Sequence, residues 1–172
     1  MKIGLIYKSK TGFTKRYAEW IAEELKCDCL EYEKFSESIA KKYDYIIYGS
    51  RVHAGRIDGL KKFMSSVGSC KLVVFAIGAT PQTEKDVINS IWTASLSETE
   101  LEKIPHFYMQ GGLNYEKMQF TDRMIMKVLA IMLKGKANKT STEQGTEQAI
   151  SSSYDNSSRE QITPLIQYIK EL

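Results

Sequence analysis

The feature that most narrows the fold of this chain is a repeated change of hydrophobic period. Short apolar runs of strand type alternate with stretches whose apolar residues recur at helical spacing. Five runs predict strands: Lys2 to Lys8, Cys29 to Tyr32, Tyr45 to Gly49, Lys71 to Gly78 and Pro105 to Gln110. Between them, Tyr17, Ala18, Ile21, Ala22 and Leu25 mark one amphipathic helix, and Ile57, Leu60, Phe63, Met64 and Val67 mark another. Ser36 to Lys42 reads as a brief helix. Thr83 to Asp86 reads as a capping box opening a helix that runs to about Ser95. Strands that alternate with helices argue for a parallel sheet, because each right-handed crossover needs a helix to carry the chain back across it. The fold class is α/β, a doubly wound five-stranded parallel sheet. The 172 residues suit a single domain spanning 1–172.

After Gly111-Gly112 the alternation stops. Met124 to Leu133 is apolar except for Lys127 and predicts an extra helix between the fifth strand and the last helix. Asn138 to Ser158, rich in Ser, Thr, Gln and Asn, reads as a loop. The last helix spans about Ser158 to Leu172, with Ser157 to Glu160 as its box. It either kinks at Pro164 or restarts with Thr163 as cap and Pro164 in the first turn.

Composition removes several function classes. A net charge of +3 without a dense basic stripe argues against nucleic-acid binding. Cys27, Cys29 and Cys70 form no C-x-x-C pair, and His53 and His106 join no cysteine cluster, so no metal site is expected. Lys2 and Lys8 bracket too few apolar residues for a signal peptide, and no run is long enough to span a bilayer. The expected location is cytoplasmic.

An open parallel sheet binds its ligand beyond the carboxyl ends of its strands, where the strand order reverses. In the order 2-1-3-4-5 this puts the loops after strands 1, 3 and 4 at the site: Ser9 to Thr14, Ser50 to Arg56 and Ala79 to Thr83. The first loop, Ser9-Lys10-Thr11-Gly12-Phe13-Thr14, carries three hydroxyls and a glycine at the start of a helix. Unpaired N–H groups and the helix dipole favour an anion there. Neither G-x-G-x-x-G nor G-x-x-x-x-G-K-[ST] is present, which argues against a dinucleotide or a nucleoside triphosphate.

With its T-G-x-T after a hydroxyl residue, placed between strand 1 and helix 1, this loop resembles the phosphate loop of the flavodoxin family. The second loop, Gly49 to Arg56, is similar to the loops of that family that lie along an isoalloxazine ring. The resemblance implies a flavodoxin-like fold, FMN as cofactor and electron transfer as activity. It implies that Ser9, Thr11 and Thr14 donate hydroxyls to the phosphate, and that Lys10, Gly12 and Phe13 donate backbone N–H. It further implies that Ser50, Arg51, Val52, His53, Ala54 and Gly55, with Ala79, Thr80 and Pro81, edge the ring.

Two functional classes stay open. Between Tyr115 and Lys139 lie six bases, Lys117, Arg123, Lys127, Lys134, Lys136 and Lys139, against Glu116 and Asp122. This basic, methionine-rich segment reads either as a helix packed on the sheet edge or as a surface for a quinone, a porphyrin or a membrane. Gly111 to Tyr115 and Thr121 to Lys127 look like the segment after strand 5 of the menaquinone-dependent protoporphyrinogen IX dehydrogenases. That resemblance implies an oxidoreductase passing electrons from a porphyrinogen to a quinone, with a peripheral contact at the inner membrane face through 115–139. The alternative is an electron-transfer protein that docks on a redox partner and has no substrate of its own. No residue is singled out as a catalytic acid or base; Arg51 and His53 are nearest by loop position.

Overall fold

Leu5 and Ile6, Ile47 and Ile46, Val73 and Val74 are neighbours in sequence and go to opposite sides of one sheet. Both faces are therefore buried, which is why these strands read as apolar runs and not as alternation. The structure is a computed structural model that describes residues 1–114, 116–118, 120–135 and 152–172. One compact unit comprises Met1–Gly111 with Ser157–Leu172, and a second comprises Gly112–Asn156.

In the first unit the elements follow as β1 (Ile3–Lys8), α1 (Phe13–Leu25), β2 (Asp28–Glu31), α2 (Glu37–Ala40), β3 (Tyr45–His53), β4 (Arg56–Ile57) and α3 (Leu60–Met64). Then come β5 (Lys71–Gly78), α4 (Lys85–Ser95), α5 (Glu98–Lys103), β6 (His106–Gln110), a 3₁₀ turn at Arg159–Ile162 and the last helix, α7 (Thr163–Lys170). The parallel strands lie in the order β2-β1-β3-β5-β6, and β4 pairs antiparallel with β3. With β4 counted apart, this is the expected 2-1-3-4-5 order of a flavodoxin-like fold.

Phe13, Tyr17, Ala18 and Ile21 of α1 pack with Leu165, Ile166 and Ile169 of α7 over Leu5, Ile47, Val73 and Phe75. The other face is covered by Leu60 and Phe63 of α3 and by Ile88, Ile91 and Trp92 of α4, over Ile6, Ile46, Tyr48 and Val74. The Phe63 and Tyr48 rings stack with centroids 4.1 Å apart. Each large aliphatic buried this way contributes about 1.5–3 kcal/mol.

Several boundaries differ from expectation. Ile57 opens no helix: it sits in β4, and α3 begins at Leu60 behind Gly59. The capping box expected at Thr83 does not form, since α4 starts at Lys85 with no side-chain cap. A box forms instead at Ser97 and Glu100 and opens α5, which the apolar pattern did not reveal. Of the two options at Pro164 the restart is the one observed, although the cap position is Ile162; Ser158, not Ser157, caps the preceding 3₁₀ turn.

In the second unit β7 (Gly112–Leu113) pairs antiparallel with β8 (Tyr154–Asp155), within a stretch expected to be wholly loop. The expected extra helix is α6, Phe120–Gly135. Residues 136–151, including Lys136, Lys139 and most of the expected polar loop, lie outside the described residues, as does Tyr115. No described helix is long and apolar enough to cross a membrane.

Candidate functional site

The register of the sheet brings the three loops to one edge. Lys8 is opposite Ser50, and Ser50 is opposite Ala76, so β1, β3 and β5 end side by side with strand spacings of about 4.8 Å. Ser9 to Gly12 leave β1, β3 continues past its neighbours, and Ala79 to Pro81 leave β5.

The first loop ends at Gly12, whose φ of 98° is one that residues with a side chain rarely adopt. This turn sets α1 off directly from the strand. Helix α1 begins with no side-chain cap and no acidic residue in its first turn. Arg16 N–H donates to the Gly12 carbonyl at 3.0 Å, so the donors ahead of it have no partner within the helix. Thr14 is 2 % exposed. The Ser9 hydroxyl oxygen is buried and has no hydrogen-bond partner among the described residues. Phe13 puts its ring into the α1 face of the core, which fixes the start of the helix. Lys10, Lys15 and Arg16 are exposed.

The second loop is largely strand. β3 runs through Ser50, Arg51, Val52 and His53 and folds back as a hairpin, with Val52 opposite Ile57 and His53 opposite Arg56. Ala54 at φ 49° and Gly55 at φ 74° form the two-residue turn, the backbone combination that tight hairpins require. His53, Ala54, Gly55 and Arg56 are exposed at its tip, while Ser50 at its base is fully buried. Ile57 N–H donates to Ser95 Oγ at 3.0 Å, a buried bond that ties the hairpin to α4.

One acidic residue organises the base of this hairpin, and the sequence pattern gave no sign of it. Asp58 accepts from Lys8 Nζ at 3.0 Å and lies 3.6 Å from Arg51 Nε. Its N–H donates to the Arg51 carbonyl at 3.0 Å, and its carbonyl accepts from the Tyr48 hydroxyl at 3.0 Å. Burial alone would raise the Asp58 pKa. The Lys8 hydrogen bond and the charges of Lys8, Arg51 and Lys10 outweigh that and hold it below the usual carboxylate value. Three cations around one carboxylate leave this end of the sheet electropositive, in addition to the helix dipole.

The third loop is set by groups distant in sequence. The Tyr108 hydroxyl donates to the Thr80 carbonyl at 2.8 Å. Gln161 Oε1 accepts from Gln110 N–H at 2.6 Å and from Gln82 Nε2 at 2.7 Å, joining β6 to the segment after Pro81. The Tyr17 hydroxyl donates to the Gln110 carbonyl at 2.7 Å and accepts from Ser158 N–H at 3.1 Å. Ala79 and Thr80 are half-buried, and Pro81 is exposed.

This edge carries donors and cations but no paired carboxylates, and Cys27 and Cys29 lie elsewhere, in and beside β2. Burial pushes each of those thiols up to about 11, so both stay protonated at neutral pH and make poor nucleophiles. Among the described residues no group of His, Cys, Asp and Glu could hold a metal ion. The arrangement is suited to holding an anion at the start of α1 and a flat group along β3 and the loop after β5.

A family model described as a flavodoxin domain matches residues 4–140. No curated protein matches the chain. Among solved structures it is similar to a Bacteroides eggerthii protein described as a flavoprotein, at 15% identity and a TM-score of 0.47, over 62% of this chain and 85% of that one. It is also similar to a flavodoxin from the domain Archaea, at 14% identity and a TM-score of 0.44, over 88% and 100%. Flavodoxin 1 from Bacillus cereus in its oxidised form is similar at 16% identity and a TM-score of 0.42, over 80% and 100%.

Proposed function

The chain belongs to the flavodoxin domain family, and from that premise we propose that it is a single-domain FMN-binding redox protein. The observation that carries the reading is the start of α1. A buried hydroxyl without a partner, a turn through left-handed Gly12 and an uncapped helix N-terminus form a donor set that fits a phosphate dianion. Bound FMN supplies one- and two-electron transfer. Ser9, Thr11 and Thr14 hold the phosphate with hydroxyls, and Lys10, Gly12 and Phe13 hold it with backbone N–H. Ser50 to Gly55 and Ala79 to Pro81 border the ring and exclude water from it. Titration of the apoprotein should quench FMN fluorescence and raise Tm with FMN concentration. Riboflavin, which lacks the phosphate, should bind more weakly. Neither quenching nor a thermal shift at excess FMN would refute the assignment.

A finer reading rests on Gly111 to Asn114 and Arg123 to Lys127, which resemble the protoporphyrinogen dehydrogenases. In it the flavin takes electrons from a porphyrinogen and a quinone removes them. Anaerobic mixing of the FMN form with protoporphyrinogen, with and without a menaquinone analogue, decides it. Porphyrin fluorescence no higher than in a protein-free control leaves the electron-transfer reading.

A further inference from the structure

Eight large hydrophobic residues are exposed among the described residues, and five of them lie on α6. They are Phe120 (76% exposed), Met124 (44%), Val128 (51%), Ile131 (69%) and Met132 (68%). Steps of four, four and three residues keep Phe120, Met124, Val128 and Ile131 on one side of the helix, and Met132 widens the stripe. Arg123 and Lys127, four residues apart, follow one edge of that stripe, with Lys127 exposed and Arg123 donating to the Glu116 carbonyl at 3.2 Å. Lys117, just ahead of the helix, is also exposed. The face is thus apolar along its centre and basic along its margin.

We propose that this face of α6 binds the surface of an anionic lipid bilayer, lying in the plane of the headgroups. Sixteen residues span about 24 Å as a helix, short of the roughly 20 residues a crossing requires. A helix lying at the interface needs what α6 offers: a continuous apolar stripe, and long cationic side chains that bury their stems while their charges reach phosphates. A protein partner is disfavoured by the same composition, because lysine is depleted from the cores of protein interfaces. The surface lies wholly within α6 and its flank, so the inference stands apart from flavin binding.

The test uses the full-length protein and sucrose-loaded vesicles of phosphatidylcholine, alone or mixed with phosphatidylglycerol. The wild type should co-sediment with the anionic vesicles, weakly with the neutral ones, and less as salt rises. Each basic charge near such a surface is worth roughly fivefold in partitioning, so Lys127→Glu, a change of two charges, should weaken binding by about 25-fold. A Phe120→Ser/Ile131→Ser double variant should lose most binding while keeping the wild-type circular dichroism and Tm, since both side chains are exposed. A Met132→Trp variant should show a blue-shifted emission quenched by brominated lipid. The proposal is overturned if the wild type ignores anionic vesicles or if the two charge and apolar variants bind as well as wild type. It is also overturned if sedimentation velocity shows a dimer that the double variant abolishes, which would make the stripe a contact between copies.

Discussion

Replacing Ser9 by Ala should move stability and affinity in opposite directions. The Ser9 hydroxyl oxygen is buried without a partner among the described residues, although the residue as a whole is only half-buried. Burying an unsatisfied hydroxyl costs about 1–3 kcal/mol, and the partial exposure of the residue places this case at the low end. Ser9→Ala should therefore stabilise the apoprotein by about 1 kcal/mol, or roughly 2–4 °C in Tm for a chain of this size. A hydrogen bond to a charged group is worth about 1.5–3 kcal/mol, so FMN affinity should fall by about 10- to 100-fold. Riboflavin affinity should hardly change, because the lost hydroxyl faces the phosphate. Urea and thermal melts of the apoprotein, with fluorescence titrations of both flavins, give the three numbers. A destabilised apo variant with unchanged FMN affinity would refute the reasoning. So would an equal loss for FMN and riboflavin.

Asp58→Asn keeps the shape of the side chain and removes the charge shared by Lys8 and Arg51. The two ends of the Lys8–Asp58 pair are 25% and 21% exposed, so solvent screening trims the loss to about 1–2 kcal/mol at neutral pH. Because the folded-state pKa of Asp58 lies below its unfolded value, its contribution is complete above about pH 5 and fades as pH falls through and below 4. Urea melts from pH 7 downward should show wild type and variant converging in acid; a gap that stays constant would point to lost packing. Gly49→Ala places a methyl group inside the Phe75 ring in a fully buried strand, and overpacking of this kind costs about 1–3 kcal/mol or more. Its Tm should drop well below wild type, and a Phe75→Leu change in the same chain should recover part of the loss.

What the sequence made legible was whatever depends on period and punctuation. Lys71–Gly78 is bounded in the structure as read, and the α1 stripe from Tyr17 to Ala22 is buried as its spacing requires. The three loops at the sheet edge followed from topology alone. Local conformation with no period was misread. Ile57 matches a helical stripe, yet the left-handed pair Ala54 and Gly55 folds it back against Val52, and two paired residues are too few to show alternation. The box at Ser97 and Glu100 was present in the sequence, but α5 buries none of its residues and left no apolar signal. Gln161 and Tyr17 form long-range bonds that local pattern does not encode, and Asp58 could be found only once β1 and β3 lay side by side.

The pairing of β7 with β8 has a polymer consequence. The chain departs at Leu113 and returns at Tyr154 on neighbouring strands, so the ends of the excursion between them are already joined. Doubling the length of a closed loop adds only about 0.6 kcal/mol of closure entropy. Evolution can therefore lengthen, shorten or rewrite this stretch at small thermodynamic risk to the sheet that precedes it. The constraint falls on the clasp itself. At Gly112 any side chain would run into the Tyr154 carbonyl, so one residue without a Cβ sets whether the excursion stays closed.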